Sequence, residues 1–235
     1  MDAVLLLPLG LVLLNVYALA LVLLRAPAYR TRVYRPMVLN IGLSVAPAAV
    51  MLVTFLAVLV VVQAFPSPVA LFAVLAVGGV VWLLLLPNAA YLVTELNLSH
   101  RREGEAVPLW YDIVLVITLA MSGVLNTLAN VALAQLVVAA VLYPEDDRPL
   151  ARAGSWVAAA VILLLVAFGM YLGRYIRFNS WDLLHPGSFL RKLVGHFRDG
   201  AHLRAAAGFV VTHGLFLAIL YTIVIAPAVV GVVER

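Results

Sequence analysis

Six long apolar runs separated by short polar segments cover most of this 235-residue chain, at about 3–24, 38–62, 69–87, 110–142, 154–174 and 205–231. A membrane-spanning helix needs about 20 mostly apolar residues. The pattern therefore predicts an all-α fold, a polytopic membrane helix bundle of six transmembrane helices in a single transmembrane domain. Between the fifth and sixth runs, Phe189, Leu190, Leu193, Val194 and Phe197 recur at helical spacing, with Arg191, Lys192 and Arg198 at other positions. That spacing predicts a short amphipathic helix over about 188–199, lying in the membrane interface, with Ser188 as its N-cap and Gly200 as its stop.

Composition agrees with the pattern. The chain is 66% hydrophobic and 11% charged, where soluble domains are about 45–50% apolar and about 25% charged. The first run begins Met-Asp without a basic leader segment or a small-residue cleavage site, and is expected to stay as a span. With no cysteine, disulfides, thiolate metal sites and a cysteine nucleophile are excluded. His185, His196 and His202 lack the paired spacing of a zinc site, and no hydrolase elbow or phosphate loop occurs. No cofactor is expected.

Charge then orients the spans. Twelve of the fifteen cations fall in loops 1, 3 and 5, including Arg25, Arg30, Arg32, Arg35, Arg101, Arg102, Arg174 and Arg177, while Arg148, Arg152 and Arg235 lie on the opposite side. Positive residues concentrate on the cytoplasmic side, so both termini are expected to face outward from a bacterial cytoplasmic membrane. The basic loops suit anionic lipid headgroups as partners rather than nucleic acid.

The fourth run is unusual. From Trp110 to Tyr143 it is 34 residues long, about 51 Å as a straight helix against a hydrocarbon core of about 30 Å, so it must tilt, project or break. Ser122, Asn126 and Asn130 lie four apart on one face of it. Such residues serve helix packing, or line a pathway in a broken transporter helix. His213 in the last run is a further pathway candidate, because ionisable groups inside membranes mark function by default.

Three polar segments share the expected cytoplasmic boundary: Pro87-Asn88-Ala89-Ala90-Tyr91 with Glu95 four residues on, Trp110-Tyr111-Asp112, and Gly173-Arg174-Tyr175-Ile176-Arg177-Phe178-Asn179-Ser180-Trp181-Asp182. These motifs, spread over Leu83 to Asp182, resemble an uncharacterised bacterial family of integral membrane proteins known as domain-of-unknown-function family thirteen sixty-one. The first 60 residues match it in hydropathy alone. The resemblance implies no activity. It does imply that Asn88, Tyr91, Glu95, Trp110, Tyr111, Asp112, Arg174, Arg177, Asn179, Ser180, Trp181 and Asp182 form a shared feature. Arginine forks hold carboxylates in paired hydrogen bonds, so Glu95, Asp112 and Asp182 are expected to meet Arg174 and Arg177. Such a cluster suits the mouth of a small-solute or ion channel or carrier. It equally suits a structural clamp in a non-catalytic assembly or sensor partner, or a headgroup-binding site in a lipid-modifying enzyme.

Overall fold

A computed structural model describes residues 3–64, 66–97, 106–176 and 186–227. Those residues form seven α-helices and no strand. The helices are α1 (Ala3–Tyr29), α2 (Arg35–Ala64), α3 (Pro68–Tyr91), α4 (Leu109–Leu142), α5 (Ala153–Tyr171), α6 (Pro186–Phe197) and α7 (Gly200–Leu220). A 3₁₀ turn, Leu92–Asn97, continues α3, and π turns continue α5 (Leu172–Ile176) and α7 (Tyr221–Ile225). Among the described residues, six segments are long and apolar enough to cross a membrane: Leu6–Tyr29, Arg35–Ala64, Pro68–Thr94, Leu109–Leu142, Ala153–Ile176 and Gly200–Ile225. They answer the six apolar runs one for one.

Five boundaries or local features differ from the sequence reading. α6 begins at Pro186, which puts Ser188 inside its first turn rather than at its N-cap. The first span continues through Arg25 to Tyr29, although Pro27 lies inside it. A proline so close to a helix end withdraws a single hydrogen bond, and the chain leaves the helix at Arg30, which takes the left-handed φ of 54°. Pro87 likewise lies inside α3 without ending it. α4 is one continuous helix over the whole fourth run, which rules out a break at Ser122 or Asn126. Finally, Gly200 starts α7 rather than stopping α6. The carboxylate of Asp199 accepts the Ala201 N–H at 2.9 Å, and an Asp N-cap outweighs the stop tendency of the glycine that follows.

The chain divides into two compact units. Leu7–Thr127 contains most of α1, all of α2 and α3, and the first half of α4. Within it α2 packs along α3, close enough that a Cβ on Gly78 would fall 2.2 Å from the Thr54 hydroxyl. Met1–Leu6 with Leu128–Arg235 forms the other unit, in which α5 packs along α7 and α6 touches α7.

Candidate functional site

In the Leu7–Thr127 unit, the first turn of α4 carries Asp112, where a carboxylate complements the positive end of the helix dipole. Its partner is Arg25, near the C-terminal end of α1, where a cation complements the negative end. The Arg25 Nε donates to Asp112 Oδ1 at 2.9 Å and Nη2 donates to Oδ2 at 3.4 Å. Arg25 is 5% exposed and Asp112 is fully buried. The guanidinium also reaches the Thr31 hydroxyl at 3.4 Å, and that hydroxyl donates back to the Arg25 carbonyl at 3.3 Å. One residue before Asp112, the Tyr111 hydroxyl donates to the Leu21 carbonyl at 2.8 Å, and its ring meets Tyr29 edge-on at 5.0 Å. Tyr111 belongs to a buried apolar cluster that includes Leu21, Val22, Met37, Leu92 and Leu115. The ion pair thus ties α1 to α4 in an environment where neither charge could be left alone.

About four turns along α4, Asn126 makes a second tie. Its amide and that of Asn15 exchange reciprocal hydrogen bonds of 2.9 Å. The Asn126 Nδ2 also donates to the Ser44 hydroxyl at 2.8 Å, and Ser44 in turn reaches the Ala89 carbonyl at 3.5 Å. Side chains from α1, α2 and α4 and a backbone carbonyl from α3 therefore share one network, buried except at Asn15, which is half-buried. Gly123 makes the close approach beside it possible, since a Cβ there would lie 2.5 Å from the Ala89 oxygen and 2.6 Å from Leu92 Cβ.

The other residues expected at a site are placed as follows. Asn88 turns back to the Leu85 carbonyl at 3.1 Å, and Tyr91 is half-buried at the end of α3. Ser122 donates to the Leu119 carbonyl of its own helix at 2.8 Å. Asn130 is buried but belongs to the second unit, so the polar stripe of α4 is divided between the units. Arg174 is exposed in the π turn after α5, also in the second unit. The side chain of Glu95, and Arg177, Asn179, Ser180, Trp181 and Asp182, lie outside the described residues. His213 lies well inside α7; its Nδ1 is 3.0 Å from the Phe209 carbonyl and its ring stacks on Phe209 at 3.7 Å. That arrangement suits a ring N–H donating to a carbonyl of its own helix.

The second unit has polar ties of its own. A buried neutral chain runs from the Tyr221 hydroxyl to Gln135 Oε1, from Gln135 Nε2 to the Ser155 hydroxyl at 3.3 Å, and from Ser155 to the Leu150 carbonyl at 3.2 Å. Where α5, α6 and α7 come together, the Tyr171 hydroxyl lies 2.8 Å from His196 Nε2 and 3.3 Å from the His202 carbonyl. The two histidine rings stack at 4.3 Å.

Sequence reasoning missed Arg25, Asn15 and Ser44. By sequence Arg25 is a loop cation, whereas α1 extends past it and it is 5% exposed. A signal did exist, because Asn15 is the sole amide side chain in the first apolar run.

A family model described as a protein of unknown function, DUF1361, matches residues 39–220. The chain belongs to this family. Asp112, Ser44 and Asn126 fall inside the DUF1361 match, while Arg25 and Asn15 lie before its first residue. Neither a curated protein nor a solved structure matches the chain. It is thus an integral membrane protein of a family whose function is unknown.

Proposed function

We propose that this DUF1361 protein is a non-catalytic membrane assembly partner, held in shape by polar clamps and presenting apolar helix faces to other membrane proteins. The observation that carries the reading is the engagement of its buried polar groups with one another. Asp112 spends both carboxylate oxygens on Arg25, and Asn126 spends both amide hydrogens on Asn15 and Ser44. In a bilayer the hydrophobic effect does not drive one helix onto another, so bonds of this kind supply specificity. A small-solute or ion channel or carrier would need those groups turned toward a path. A headgroup-modifying enzyme would need such groups turned toward a lipid phosphate. The arginine bias supports a bacterial cytoplasmic membrane with both termini outside. Arg30, Arg32 and Arg35 keep loop 1 basic without Arg25.

Two measurements on the full chain test this. Proteoliposomes are expected to be no more permeable to protons, potassium, sodium, phosphate or glycerol than protein-free vesicles. A flux abolished by Asp112→Asn would overturn the reading in favour of transport. Because the chain has no cysteine, Phe72→Cys on the exposed face of α3 gives one crosslinking site in the native membrane. A discrete larger product is expected, and monomer alone would sink the assembly reading.

A further inference from the structure

α6 differs in kind from the other helices. It is short, lies between two spans in sequence, and divides its apolar residues between two directions. Leu193, His196 and Phe197 are half-buried. Phe197 stacks with Phe168 at 6.3 Å and with Tyr171 at 6.2 Å, and His196 meets the Tyr171 hydroxyl. These contacts fasten α6 to the end of α5 and the start of α7. Leu190 and Val194, one turn apart, point elsewhere and are 58% and 47% exposed. On the same side of α6, Arg191 and Arg198 lie three residues before Val194 and four after it. Leu203 and Arg204 extend the pattern into the first turns of α7, and all are exposed. The single amphipathic face expected from spacing is therefore two faces, one docked on the protein and one unoccupied among the described residues.

We propose that the outward face of α6, with the first turns of α7, docks on an anionic phospholipid leaflet. Leu190, Val194 and Leu203 enter the headgroup–acyl boundary, and Arg191, Arg198 and Arg204 meet lipid phosphates. Charge complementarity and position select this occupant. Both neighbouring helices in sequence are long enough to be spans, so connectivity holds α6 at a membrane face. Apolar residues flanked by arginines are what such an interface binds. Each arginine near an anionic surface contributes about fivefold to surface affinity, and the attraction fades within a Debye length. The inference is independent of whether the chain assembles with other membrane proteins.

The absence of native cysteine makes the test direct. Leu190→Cys and Val194→Cys, each spin-labelled in the full chain, are placed in nanodiscs of phosphatidylcholine alone or mixed with phosphatidylglycerol. The readout is label accessibility to oxygen against a water-soluble nickel chelate. With phosphatidylglycerol present, both labels are expected to move from aqueous to headgroup depth, while a label at Glu145→Cys stays aqueous. Raising the salt, or combining Arg191→Gln, Arg198→Gln and Arg204→Gln, should increase several-fold the anionic-lipid fraction needed for half the shift. These arginines are exposed, so the variant is expected to fold, and the salt arm requires no variant. Labels that stay aqueous in both lipids would overturn the proposal. So would burial equal in neutral lipid and indifferent to salt, or burial appearing only at high protein-to-lipid ratio, which would indicate contact between proteins.

Discussion

The first turn of α4 is tied to its neighbour by charge, and the second half of the helix is tied without it. Asp112 meets the guanidinium of Arg25 where both side chains are buried, whereas Gln135 meets the hydroxyls of Ser155 and Tyr221. A buried ion pair is stabilising only while both partners are present, since each charge has lost its water. A neutral chain can lose one member and leave a dipole rather than a charge stranded. The charged end is therefore the intolerant end, although its net contribution against an apolar replacement can be close to zero.

The largest effect should come from breaking that pair. Arg25→Met or Asp112→Leu alone is expected to cost about 3–5 kcal/mol, while the double variant should recover most of the loss. Denaturant unfolding in mixed micelles measures all three. If the double variant were as unstable as the two losses added together, the charges would act separately and the contrast would fail. Next comes packing. Gly123→Ala puts a methyl group against the Ala89 backbone oxygen, which cannot swing aside. Overpacking of this kind costs about 1–3 kcal/mol, and the same unfolding experiment reads it.

The ion pair also marks where sequence stopped being informative. The six spans were legible because each run is long and apolar, a property local to its own residues. The polar face of α4 was legible because Ser122, Asn126 and Asn130 share a helical period. Nothing in those patterns says which distant residue completes a bond. Arg25 and Asp112 are 87 positions apart, and Asn15 and Asn126 are 111 apart. Arg25 reads as a loop cation because the first apolar run stops at Leu24, just before it, with Pro27 two residues further on. α1 carries that proline in its last turn, and the arginine moves from the headgroups into the protein. The two-faced nature of α6 was hidden for a similar reason. Spacing groups Leu190 with Phe197, and only the contacts of Phe197 with Phe168 and Tyr171 separate them.

Smaller effects sharpen the comparison among uncharged ties. Asn126→Leu removes bonds to two helices at once and should cost about 1–2 kcal/mol, near the upper end for hydrogen bonds between membrane helices. Tyr221→Phe removes one bond of the neutral chain and should cost about 0.6 kcal/mol, near the average. If Tyr221→Phe proved the costlier of the two, the number of helices joined would not be what sets the loss.

The smallest effect tests the same charge chemistry where water is present. In the connection between α4 and α5, Asp146 accepts the Arg148 backbone N–H at 2.9 Å and pairs with the side chain of Arg152. The backbone hydrogen bond first, and then the Arg152 side chain, hold the Asp146 carboxyl below its ordinary value of 3.8. Both favour the ionised form, so the folded connection binds its proton more weakly than the unfolded one. The contribution is fully present above the ordinary value and is lost as pH falls through the lowered one. Exposed pairs contribute little and are screened by salt, so global unfolding should barely move. The local readout is Trp156, whose indole N–H donates to the Leu150 carbonyl in the same connection. Its fluorescence should hold steady from neutrality to about pH 4 and change on further acidification, with Asp146→Asn showing the acid form throughout. An Asp146→Asn signal identical to wild type at neutral pH would mean that the backbone bonds shape this connection and the exposed pair only decorates it. The contrast with Arg25 and Asp112 would then be wider still.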